Sequence, residues 1–322
     1  MKRLVLPLLL FTLLFCAAAS TATAAELPQL GYEIVDNCVT ITACDTQATG
    51  TVSIPAQIKG MPVTAIGGSA FAGCEYIEEL VLPESVEKIE PYAFYGCTAL
   101  KKVNLPATPE TYGEGLFTGC AALESVTLPG ALTKISDNMF TGCASLRRIS
   151  IPSGVKSIGD NAFSGCEKLR IIVLPAGLEE ISRYAFADCK ELFFVRMPKA
   201  ISYIGEGAFS GCKALRIISL PENVNQIPAY CFYGCESLSR MRIPGSVIDI
   251  KAEAFSECYA LSELSFEHSV LDPLTVEPGA FMLEGVADTK IYCTDTIKPP
   301  AALAEYEWEL SGRPVEFAKL ER

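Results

Sequence analysis

Apolar positions along this chain recur every 23 residues. Phe stands at 71, 94, 117, 140, 163, 186, 209, 232 and 255, and Cys follows three residues after each of them. No insertion or deletion interrupts these nine copies. So strict a period marks a solenoid whose coils stack on one another. The unit Ile158 to Glu180 shows the parts of one coil. Leu169 to Leu174 reads as a strand whose first, fourth and sixth residues face the core. Pro175 follows, and because Pro has no donor N–H it ends the ladder between coils at a fixed point. Leu178 and Ile181 make a second, shorter apolar step. Asn161 to Cys166 then turns the chain back, and a short helical turn is expected there, because 23 residues cannot hold a strand and a long helix. Gly165 is expected at positive φ. Asp188 can take the same place, whereas Glu257 predicts a local distortion near the end.

The flanks depart from the period. Residues 25–65 read as an N-terminal β cap, with a hairpin from Tyr32–Val35 through Asp36–Asn37 to Val39–Thr42 and an atypical first strand at Val52–Ile54. End coils lack one neighbour and need altered sequences. The solenoid spans 66–273. Residues 274–322 read as an atypical last repeat and C-terminal cap: Ala280-Phe281 comes 26 residues after Phe255, Ile291–Cys293 reads as a last strand, Ala301–Leu310 as a capping helix carrying Trp308, and Val315–Phe317 as a final short strand.

Residues 1–24 read as an export leader. Lys2 and Arg3 precede an apolar run from Leu4 to Ala19, and Ala22-Thr23-Ala24 supplies a small-residue cleavage site. No later stretch is long and apolar enough to span a bilayer. A secreted or surface location is therefore expected. Charge is acidic, with 26 Lys plus Arg against 38 Asp plus Glu, which argues against nucleic-acid binding. Fourteen Cys in an exported chain would ordinarily indicate a disulfide framework. Nine of them form one column, however, and coils stack ~4.8 Å apart, wider than the ~3.8 Å between Cβ atoms that a disulfide wants. They read instead as small buried hydrophobes. Cys38 and Cys44 flank a strand and lie too far apart to bridge each other.

The pattern C-x-x-L-x-x-V-x-L-P-x-x-V-x-x-I-x-x-x-A-F-x-G, carried by Cys166 to Gly177 and on through Ile181, Ala185 and Phe186, resembles the BspA-like (treponemal-type) leucine-rich repeat family. The entry Gly60 to Ile66 resembles that family's usual opening, and the likeness covers about residues 50 to 273. It implies a curved leucine-rich solenoid, mainly β with short turns, exported and often held at a bacterial surface. Some members are implicated in adhesion to host matrix proteins.

Little here points to catalysis. The lone His268 reads as an incidental surface residue, with no second His for a nucleophile pair or a metal site. Cys231 and Cys235 lack partners at metal-ligand spacing. No enzyme activity, metal or cofactor is expected, and a monomer is. The outward strand positions of coils four to eight stand out. They carry Arg147, Arg148, Arg170, Ile171, Val173, Phe193, Phe194, Arg196, Arg216, Ile217, Arg240 and Arg242: seven Arg among apolar residues on one face of an acidic protein. Apolar side chains rimmed by Arg make an interaction surface for a protein or an acidic or sulfated glycan. The alternative is a structural spacer whose strand face merely follows β preference.

Overall fold

The computed structural model describes residues 30–107, 112–268, 274–281, 290–293 and 316–319. The leader and the expected helix Ala301–Leu310 lie outside the described residues. The cap begins as expected, with Leu30–Val35 and Cys38–Cys44 antiparallel around Asp36 and Asn37, both at positive φ (50° and 61°). Two left-handed residues in a two-residue loop match the twist of the strands they join. Cys38–Cys44 then runs parallel to Met61–Ile66, and Gly50–Ser53 runs parallel to the first coil's strand, Ile77–Val81. The cap thus offers the solenoid its first rungs.

From there the chain is a β-solenoid with two parallel ladders. One ladder joins the main strands of coils four to nine, Arg148–Ser150 through Glu263–Phe266, and continues into Lys290–Cys293 and Glu316–Lys319. Partners sit one period apart, as in Ile149↔Ile172 and Ile172↔Val195. The other ladder joins the short apolar step, with Ser157–Ile158 between Lys134–Ile135 and Glu180–Ile181. The main ladder is interrupted at coil three, so the strands of coils one and two form a separate sheet with the cap.

The third side of each coil is not a helical turn. Among the described residues there is no helix. From Asn161 to Cys166 the N–H groups alternate between two acceptors. Those of Asn161, Phe163 and Gly165 donate to Arg183, Ala185 and Ala187 of the next coil, while those of Ala162, Ser164 and Cys166 donate to residues three back. Sending every second donor across to the neighbouring coil leaves no run of i→i−4 bonds for an α-helix. Gly165 has φ 73° as expected, and Asn161, two residues before Phe163, is also left-handed (φ 53°). Asp188 and Glu257 occupy the Gly165 place at φ 55° and 59°. Glu257 causes no distortion of the interior: Phe255 stacks on Phe232 at 5.4 Å and on Phe281 at 5.0 Å.

The core is the predicted spine. Phe71 to Phe255 and Phe281 are fully buried in file. Ring planes are 49° apart between Phe71 and Phe94 but only 9° apart between Phe140 and Phe163. The three extra residues before Phe281 enter between Phe266 and Thr275, because Ile243 still pairs with Phe266 whereas Asp249 pairs with Thr275. The thiols do more than fill space. From Cys97 to Cys258 each column Sγ donates to the carbonyl of the Phe 26 residues earlier, at 3.1–3.3 Å. Burial pushes the thiols of Cys143, Cys166, Cys189, Cys212, Cys235 and Cys258 up from their ordinary value.

Candidate binding surface

The main strands carry the surface. In Leu169 to Leu174 the first, fourth and sixth side chains are buried and the second, third and fifth exposed, and coils four, six and seven follow the same pattern except that Met197, at the sixth position, is half-buried. All eleven candidate residues lie outward: Arg147, Arg148, Arg170, Ile171, Phe193, Phe194, Arg196, Arg216, Ile217, Arg240 and Arg242. Strand register then sets them in rows. Arg148, Ile171, Phe194, Ile217 and Arg240 follow one another across five strands. Val173 lies beside Arg196 in a second row. The apolar centre is well exposed, with Ile217 at 56% and Val173 at 64%.

Along the entry to the strands a groove of ≈ 410 Å³ is lined by Arg170, Glu191, Phe193, Ala214, Arg216 and Ser237. The Arg170 guanidinium sits 5.9 Å from the centroid of the Phe193 ring, within cation–π range. It also faces Glu191 at 3.9 Å.

The Arg residues divide into two groups. Arg242 bonds to Glu267 and lies 3.1 Å from Glu222, and the Glu267 hydrogen bond holds its guanidinium above the ordinary value. Arg240 faces Glu263 at 3.4 Å. Arg147, Arg148, Arg196 and Arg216 make no ion pair among the described residues. The available positive charge therefore lies toward coils four to seven, around the exposed apolar row, and the coil-eight end is neutralised. The sequence alone did not show this division, because Glu222 and Glu267 lie 20 and 25 residues from Arg242.

Other candidates behave differently. His268 is buried, not at the surface, with its Nε2 against the Val247 carbonyl; the strand Glu263–Phe266 carries it inward beside Phe266. Cys231 is buried where most coils have Ala before the spine Phe. Among the described residues no group of three His, Cys, Asp or Glu side chains is placed to hold a metal, and no helix is long and apolar enough to cross a membrane.

A stacked β-coil with a buried strand-to-turn interior and an outward strand face defines a leucine-rich repeat protein. The BspA type leucine-rich repeat region model matches residues 64–193 and 179–282 in six copies. The chain belongs to this family. The chain is also similar to the crystal structure of a T. pallidum leucine-rich repeat protein, with 32% identity and a TM-score of 0.54, over 60% of this chain and 90% of that one. A second similar structure is a leucine-rich repeat protein from Bacteroides ovatus, with 25% identity and a TM-score of 0.59, over 82% of this chain and 69% of that one. No curated protein matches the chain.

Proposed function

We propose that this chain is an exported protein-recognition module, held at or released from a bacterial surface, that docks a partner on the outward strand face of coils four to seven. The observation that carries the reading is the exposed row Ile171, Phe194 and Ile217, set beside Val173 and beside Arg148, Arg196 and Arg216, which make no ion pair among the described residues. Apolar side chains in adjacent strands favour a protein over a glycan, because their burial needs a matching apolar surface. Arg without internal partners favours carboxylates on that protein, which it can grip in bidentate fashion. The repeat family supports a recognition role, and the leader-like residues 1–24 support export.

The test compares the native chain with the Phe193→Ala, Phe194→Ala, Arg196→Ala triple variant on a panel of immobilised acidic extracellular proteins, with heparin as the sulfated-glycan arm. The docking reading expects protein ligands to be lost by the variant while its fold is intact. Equal retention by both chains overturns it and leaves the spacer role. Retention on heparin alone assigns the surface to sulfated glycans.

A further inference from the structure

The thiol column has an irregular head. Cys97 and every later column thiol donate to the carbonyl of a preceding spine Phe. Cys74 has no such partner, because Ala48 stands where that Phe would be. Its Sγ lies 3.8 Å from the Asp45 carbonyl oxygen, and the Sγ of Cys44 lies 3.7 Å from the same oxygen. The two thiols thus converge on one atom from different elements, the end of strand Cys38–Cys44 and the turn of the first coil. The titrations of the two thiols are linked: Cys74, with burial, pushes Cys44 up from its ordinary value, and Cys44 holds Cys74 below its own. Cys44 is partly exposed, whereas Cys74 and the column behind it are buried. The Asp45 carbonyl does not depend on the thiols, since it also accepts the Ala48 N–H at 3.0 Å.

We propose that Cys44 and Cys74 form a disulfide that fastens the N-terminal cap to the first coil. The oxidant is a small or protein-borne disulfide. Cys44, the accessible thiol, gives its proton to base in the alkaline solvent as it attacks one sulfur of that disulfide; the oxidant's S–S bond breaks, one thiolate leaves, and a mixed disulfide remains on Cys44. The Cys74 thiolate then attacks the Cys44 sulfur and expels the second thiolate. Both Cys protons go to solvent, and the oxidant is reduced to two thiols. The column thiols from Cys97 onward are excluded because they point the same way at one coil spacing and are buried from any oxidant, with no exposed thiol beside them.

The experiment treats the folded full chain with oxidised glutathione at mildly alkaline pH and maps a non-reduced tryptic digest. Lys59 is the one basic residue between Cys44 and Cys74, so the cross-link joins the peptide ending at Lys59 to the peptide from Gly60 to Lys88. The expected result is that cross-link in the native chain and in Cys38→Ser, its absence in Cys44→Ser, and an unfolding midpoint raised by roughly 5 °C on oxidation. Recovery of Cys44 only as a glutathione adduct, pairing of Cys74 with Cys38, or free thiols at both positions after prolonged oxidation would overturn the proposal. A cross-link that leaves the midpoint unmoved would remove the fastening role.

Discussion

The ring of Phe163 lies parallel to that of Phe186, with planes 1° apart and centroids 5.3 Å apart. Each interior Phe therefore contributes to two stacking contacts as well as burying its own area. Phe163→Ala should cost about 3–5 kcal/mol, because the coils on both sides hold the cavity open. Phe71→Ala should cost less, since Phe71 meets one ring, Phe94, at a 49° tilt. Urea denaturation of the two variants checks the order; equal costs would mean that stacking in file adds nothing beyond burial.

The Gly at 207 is required by its neighbour as well as by its backbone. It has φ +60°, and a Cβ there would lie 2.2 Å from Cε1 of Tyr184 in the preceding coil. A Cβ on Gly165, also left-handed, would meet nothing nearer than 3.5 Å. Gly165→Ala should cost about 1–2 kcal/mol from the left-handed backbone alone, and Gly207→Ala should cost more. A double-mutant cycle with Tyr184→Ser should recover the excess, and no coupling between the two sites would sink the steric explanation.

Stability should fall as pH rises above the thiol's unfolded value of ~8.5. Burial raises Cys143, Cys166, Cys189 and Cys212 in the folded chain. A raised folded value means the unfolded chain releases its protons first, so the stabilisation is whole below the unfolded value and is lost as pH climbs toward the folded ones. Tyr184 and Tyr233, pushed up to about 12 by hydrogen bonds to Glu206 and Glu257, act in the same direction at higher pH. Replacing Cys143 and Cys166 with Ala should flatten the slope of unfolding free energy between pH 8 and 10; an unchanged slope would contradict it.

Arg196→Ala should weaken partner binding more than Arg242→Ala. Both are exposed on the same face, but Arg242 is already held by Glu222 and Glu267, whereas Arg196 has no ion pair among the described residues. The dependence of binding on salt should shrink in Arg196→Ala and stay near native in Arg242→Ala. Titrations at two salt concentrations decide it, and the reverse order would remove the distinction between the two groups of Arg.

Much of the architecture was legible because each coil repeats the same local instruction. The Phe column read as a spine and is one. The alternation in Leu169 to Leu174 predicted which side chains face out, and all eleven surface candidates do. The turn from Asn161 to Cys166 was misread as helical. Nothing local in Asn-Ala-Phe-Ser-Gly-Cys says that alternate N–H groups leave for the next coil; the left-handed Asn161 was the available clue. His268 was misread because it lies two residues beyond the strand Glu263–Phe266, at the point where three extra residues break the period and no repeat orients the side chain.

The sequence by itself determined the period, the identity of the interior columns and the direction each strand side chain takes, because these depend on residues close together in the chain and on a repeat that stacks like on like. Only the tertiary structure decided which Arg are held by Glu, which donors cross between coils, and that Cys44 meets Cys74 at one carbonyl. Those relationships join unlike positions of neighbouring coils, and their geometry follows from how one coil is offset on the next, which no single repeat encodes.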